Sequence, residues 1–176
     1  MPQQPAHEFS RPVRVEDLEP GTEIRRKIEA DESERAALAE RLGLVQMDSL
    51  SAEVVLRRLP GGTLIGASGH VAADVVQSCV VTMDPVAGHI DENFEEIFAP
   101  EGYEPGEDEE DVDLSDYFDG QEIDIGEVVA QLLSLSLDPY PRAPGAALTP
   151  PAGDEPDVSE RRRPFEGLAK MLKNGE

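Results

Sequence analysis

The 176-residue chain reads as one α+β domain: an antiparallel β-meander, barrel-like in its tendency to curl, with two packed helices and a flexible C-terminal tail helix. Three observations predict this. Apolar and polar residues alternate over short runs separated by Pro, Gly and Asp-Pro turns, the pattern of half-buried strands in hairpin succession. Two segments begin with an Asp three residues before a Glu, the spacing of a helix capping box. Hydrophobic residues make up 39 % of the chain and Trp is absent, so the core is modest and the length allows one domain plus a tail.

Taken in order, residues 1–7 form a disordered lead-in, and a domain spans 8–140. A short strand falls within 8–15, followed by a Glu19-Pro20-Gly21 turn. Over 22–30, Ile24, Arg26 and Ile28 alternate with Arg25, Lys27 and Glu29, as in a half-buried strand. Asp31 and Glu34 then cap a helix that places Leu38 and Leu42 on one face, and Gly43 ends it. The next strand alternates Leu50, Ala52, Val54 and Leu56 and closes at Pro60-Gly61-Gly62. Gly66 and Gly69 interrupt the following strand, predicting a bulge or close backbone contact there. A third strand of the meander covers 73–83, Asp84-Pro85 turns the chain, and a fourth covers 89–98 with Ile90, Phe94 and Phe98 in phase. Residues 99–122 form a mobile acidic loop. Asp124 and Glu127 open a second helix whose apolar residues, Val128 to Leu137, occupy most of its circumference, so cover on more than one side is expected. Residues 141–160 are a Pro- and Gly-containing linker, and 161–176 form a basic, amphipathic tail helix.

Charge sorts the function classes. The formal net charge is −23, which opposes gripping bare nucleic acid or an anionic membrane, and no DNA partner is expected. The charge is uneven: residues 59–141 hold 20 Asp or Glu and no Lys or Arg, whereas 1–58 hold 9 bases and 12 acids and 142–176 hold 6 of each. There is no apolar run of about 18 residues to cross a membrane, and the start lacks the features of a secretory or organellar leader. One cysteine cannot form an internal disulfide, which suits a reducing compartment; a cytoplasmic setting is expected.

No catalytic constellation emerges, and no enzyme activity, cofactor or metal is expected. Gly61-Gly62 and the 66–69 segment lack the Gly-Lys-Ser/Thr ending of a phosphate loop. The acids between Asp91 and Glu127 are too many and too solvated to single out an acid–base pair. Cys79, His70 and His89 lack the paired spacings of zinc ligands. Flanked by Val75, Val76, Val80 and Val81, Cys79 reads as a small buried hydrophobe in a setting too apolar for a thiolate. Two interaction surfaces remain. The run Glu107, Asp108, Glu109, Glu110 and Asp111 offers an acidic surface to a protein. Arg25, Arg26 and Lys27, with Arg161, Arg162, Arg163, Phe165, Leu168, Leu172 and Lys173 of the tail, offer a basic and apolar one to RNA or another partner. The tail helix could equally fold back over its own core.

The order of pieces resembles the bacterial YceD family of large ribosomal RNA subunit accumulation proteins, also carried as a domain of unknown function. The resemblance rests on the strand Val75-Val76-Gln77-Ser78-Cys79-Val80-Val81, the acidic loop, Ile123-Asp124-Ile125-Gly126-Glu127, Leu137-Asp138-Pro139-Tyr140-Pro141 and the closing segment from Pro164 to Lys173. It extends over roughly residues 8–173. It implies a non-enzymatic role in the synthesis, processing or stability of large-subunit ribosomal RNA. Many members carry a Cys-x-x-Cys pair, of which Cys79 matches the second position and Val76 stands at the first, so no metal or redox role transfers. Two partners fit an acidic factor near RNA. One is a basic large-subunit ribosomal protein, held by charge complementarity. The other is precursor rRNA, reached through Arg11, Arg14, Arg25, Arg26, Lys27, Arg57, Arg58 and the tail. The competing readings are an acidic protein-interaction module unrelated to RNA and a metal-dependent hydrolase in the acidic loop.

Overall fold

The structure, a computed structural model, describes residues 8–104, 114–119 and 121–147. The chain divides into two units at Ala146 and Ala147, and the account that follows concerns the first. The expectations for 1–7, for the acidic run at 107–111 and for the tail from 161 lie outside the described residues.

Five strands form one sheet in the order β2-β3-β4-β5-β6. They are β2 (Glu23–Glu29), β3 (Gln46–Arg58), β4 (Ile65–Ser78), β5 (Pro85–Pro100) and β6 (Asp116–Phe118). The first four pair antiparallel, while β6 joins β5 parallel through Phe98 opposite Asp116. With β2 and β6 at opposite edges the sheet is open, and the expected curl does not reach a closed barrel. A separate two-stranded sheet pairs β1 (Pro12–Arg14) with β7 (Glu122–Asp124).

The helices are α1 (Glu32–Leu42) and α2 (Ile125–Ser136). At α1 the capping box forms in full: Asp31 accepts from the Glu34 N–H, the Glu34 carboxylate accepts from the Asp31 N–H, and Gly43 closes the end at φ 66°. At α2, Asp124 accepts from the Gly126 and Glu127 N–H groups, while the Glu127 carboxylate turns to Arg41.

Two expectations are corrected. The segments either side of Gly66 and Gly69 are one strand, because β4 is laddered on both sides in unbroken register with β5 and with most of β3. The irregularity lies instead at Met47/Ser49 of β3. Gly69 does mark a close approach, since a Cβ there would stand 2.0 Å from the Glu53 carbonyl oxygen. Strand β4 also ends at Ser78, which places Cys79 in the β4–β5 turn rather than in a strand.

One face of the sheet carries the core. Leu50, Ala52, Val54 and Leu56 of β3 align with Ala73, Val71, Gly69 and Ala67 of β4. Leu38 and Ala39 of α1, the N-terminal Phe9, Val15 and Leu18, and Ile125, Val129 and Leu133 of α2 join them in one buried cluster. Each side chain of the Leu or Phe class fully withdrawn from water here contributes about 1.5–3 kcal/mol. Helix α2 is covered on more than one side, as expected: Ile125, Val129 and Leu133 join the core, Gly126 lies against the backbone of Phe9 and Arg11, and a narrow strip with Leu135, 83 % exposed, faces outward. Arg58 fastens the N-terminal segment over this core by donating to the carbonyls of Leu18, Gly62 and Val15.

Candidate functional site

The surface chemistry begins with how the cations are used. Arg11, Arg14, Arg25, Lys27, Arg41 and Arg57 each reach a carboxylate within 3.5 Å. Arg35 and Arg58 donate to backbone carbonyls. Of the basic residues expected to meet RNA on β2, Arg25 is closed by Glu23 and Lys27 by Glu53, and Arg26 donates to the Arg25 carbonyl. Those three sit side by side on an edge strand, but their charge is largely returned by neighbouring acids. Arg58, another expected RNA contact, is spent on the core.

Acids without a cationic partner among the described residues lie on β2 and α1, at Glu29, Glu32 and Glu40, and gather again toward the opposite edge. Glu92, Glu96, Glu101 and Glu122 have no cationic partner among the described residues. Around β6, β7 and the start of α2 the surface dips into a concavity of about 500 Å³ whose wall includes Glu101, Asp116, Asp119, Glu122 and Asp124, with Tyr117 beside them. The described residues thus continue the anionic character of the 107–111 run, whose own placement lies outside them.

On the outer face of the sheet the β4–β5 register sets Asp74 opposite His89 and Ala72 opposite Asp91. Asp74 Oδ1 lies 2.7 Å from His89 Nδ1, and Asp91 Oδ1 lies 2.8 Å from His70 Nε2. Ser49 Oγ donates to Asp74 at 2.7 Å. The bond from His89, then that from Ser49, lowers the Asp74 pKa, and the bond from His70 does the same for Asp91. Sequence reading treated the two histidines only as possible metal ligands; the signal for their pairing is the strand register, which fixes who faces whom. Among the described residues no three His, Cys, Asp or Glu side chains gather around a point able to hold a metal ion.

Cys79 has a polar setting, which corrects the apolar one inferred from its neighbours. Its side chain is fully enclosed but stands outside the main core cluster. The sulfur accepts from the Ala143 N–H at 3.3 Å and from the Val81 and Thr82 N–H groups at 3.4 Å. These donors, Ala143 foremost and then Thr82, lower its pKa to about 6. Two further bonds tie the segment 138–143 to the end of β4 and the turn after it: Val80 N–H donates to the Pro141 carbonyl, and Gln77 Nε2 to the Asp138 carbonyl. Ala143 lies 64 residues from Cys79, so no local pattern announces it.

The described domain is thus a small α+β unit in which most cations are held by its own carboxylates or carbonyls, carboxylates without a cationic partner line β5 to β7, and the cysteine is cradled by backbone donors. The chain belongs to the family described as large ribosomal RNA subunit accumulation protein YceD, whose model matches residues 67–172. The match begins inside β4 and takes in Cys79 and α2, so it is shorter at the N-terminal end than the extent of about 8–173 read from the sequence. No curated protein and no solved structure matches the chain.

Proposed function

We infer that this protein is a non-enzymatic ribosome-biogenesis factor that supports large-subunit rRNA by holding a basic large-subunit ribosomal protein against its acidic surface. One observation carries the reading: most cations of the described domain are held by its own carboxylates or carbonyls, while Glu92, Glu96, Glu101 and Glu122 have no cationic partner among the described residues. A surface of that kind attracts a cationic protein and repels a phosphate backbone. Steering by exposed charge works within a Debye length of about 8 Å at physiological salt, so the interaction is salt-sensitive. Membership of a family named for rRNA accumulation supports the setting, and free ribosomal proteins are the abundant cationic partners within it.

The test is capture of purified large-subunit ribosomal proteins by the full chain at low and high salt. Capture that weakens with salt, and weakens again when Glu107, Asp108, Glu109, Glu110 and Asp111 are changed to Gln or Asn, supports the reading. Equal capture by that variant counts against it. Tight binding of precursor rRNA with a slope of about −0.7 per neutralised phosphate in log affinity against log salt would move the role to Arg161, Arg162, Arg163 and Lys173.

A further inference from the structure

We propose that the edge of β5 left unpaired among the described residues, over residues 87–95, is a docking strip on which an extended Lys/Arg-rich segment of a partner protein adds as an extra β-strand. This rests on the reading above and names the site and the form of the partner.

The direction of the β5 backbone is fixed at one point. Ser115 N–H donates to the Ile97 carbonyl at 2.9 Å, and Ile97 N–H donates to Ser115 Oγ at 3.1 Å. Ile97 therefore turns its backbone groups away from β4, toward the β6 side. Backbone direction repeats every second residue along a strand, and the β4–β5 register is unbroken from Ser78/Pro85 to Ile65/Phe98. Ala87, His89, Asp91, Asn93 and Glu95 accordingly point their N–H and C=O groups the same way. Strand β6 reaches only Phe98 to Pro100, and among the described residues nothing pairs with those five. Nine residues exceed the ordinary strand of about 5–6, so a whole strand fits.

The side chains flanking this edge choose the occupant. Asp91 and Glu95 stand on the outer face, already bonded to His70 and Arg57, and Glu92 and Glu96 stand on the other without a cationic partner among the described residues, with half-buried Phe94 between them. Acids on a strand edge guard against chance pairing, and they also select by sign. A second copy adding β5 to β5 would set these carboxylates against each other, which is unfavourable for cross-strand pairs. A strand bearing Lys or Arg on the face of Glu92 and Glu96 sets its cations beside those acids and its backbone donors against the β5 edge, with backbone bonds supplying affinity and alternate side chains supplying selectivity.

The probe is a synthetic ten-residue peptide of alternating Lys and Val, compared with one of alternating Lys and Pro. The charge is equal, but the second lacks the N–H groups at alternate positions. Hydrogen exchange is followed residue by residue on the full chain. Slowing of the 87, 89, 91, 93 and 95 amides by about tenfold or more with the Lys-Val peptide alone is the expected result. Equal binding of both peptides, protection elsewhere, protection before any peptide is added, or protection that grows with protein concentration each overturns the proposal. Asn93→Pro removes one outward N–H while sparing the β4 ladder, a substitution that edge strands accept, and it should weaken Lys-Val binding about tenfold. If that variant loses its fold, the exchange map on the unaltered chain still decides. Failure of the unaltered chain to capture ribosomal proteins would sink the biogenesis reading alone. Capture undiminished by a folded Asn93→Pro variant would sink the docking strip alone.

Discussion

Arg41, in the last turn of α1, closes on Glu127, in the first turn of α2, through both guanidinium nitrogens, with Nη1 to Oε2 at 2.8 Å and Nη2 to Oε1 at 2.6 Å. The base sits at a helix C-terminus and the acid at a helix N-terminus, so each also opposes its helix dipole favourably. Glu127 is the better covered partner, with 13 % of its side chain exposed against 35 % for Arg41. A double-mutant cycle of Arg41→Ala and Glu127→Ala, read by urea unfolding, should give a coupling of about 1 kcal/mol. Additive losses would show that the two helices are held by the apolar core alone.

Acid should destabilise the fold below about pH 4, near the ordinary carboxyl values. The Arg11 guanidinium lowers the Glu34 pKa, and the Glu34 N–H lowers that of Asp31. The bonds from His89 and His70 act likewise on Asp74 and Asp91. A folded carboxyl with a lowered pKa resists protonation that the unfolded chain accepts. Its contribution is complete above the unfolded value and is lost as pH falls through the folded one. Arg11→Met should cost about 1 kcal/mol at pH 7 and flatten the decline of unfolding free energy between about pH 4.5 and 3.

The Cys79 thiol should titrate at about 6 in the folded protein, visible as thiolate ultraviolet absorbance absent from Cys79→Ala. An unfolded cysteine titrates near 8.5. The folded state therefore binds fewer protons between those values, and stability from this group climbs with pH through that window and is complete above it. Equal pH slopes for the unaltered chain and Cys79→Ala over about 6 to 8.5 would show that the sulfur stays protonated within its cradle.

Gly126→Ala should destabilise the fold by about 1–3 kcal/mol, the usual penalty for overpacking. The new Cβ would stand 2.0 Å from the Phe9 carbonyl oxygen and 3.1 Å from the Arg11 nitrogen, both backbone atoms. The N-terminal crossing would have to lift away. Hydrogen exchange should accelerate first in the β1–β7 pair, which that crossing aligns.

What could be read in advance was local. Asp31 and Glu34 are three residues apart and Gly43 needs only its own backbone angles, so α1 was legible from both ends. Alternation exposed the core face of β3 for the same reason. Strand β4 was split at its glycines because propensity says break there; pairing with β3 on one side and β5 on the other overrides it, and neither ladder is a local property. The Cys79 cradle and the open β5 edge escaped for a related reason. One depends on Ala143 arriving from far along the chain, and the other on β6 being too short to cover its neighbour.

The crossing of the N-terminal segment over α2 has a consequence for the order of synthesis. Ser10 and Asp124 share a hydrogen bond across 114 residues, and Phe9 is buried only once α2 exists. At the usual 5–20 residues per second, roughly 6–23 s separate the emergence of the two partners. Strand β1 is thus among the last elements to find its place, and until then the nascent chain carries Phe9 and Val13 uncovered. Slow translation ahead of α2 would prolong that exposure, whereas the β2–β3–β4 meander behind it can already close.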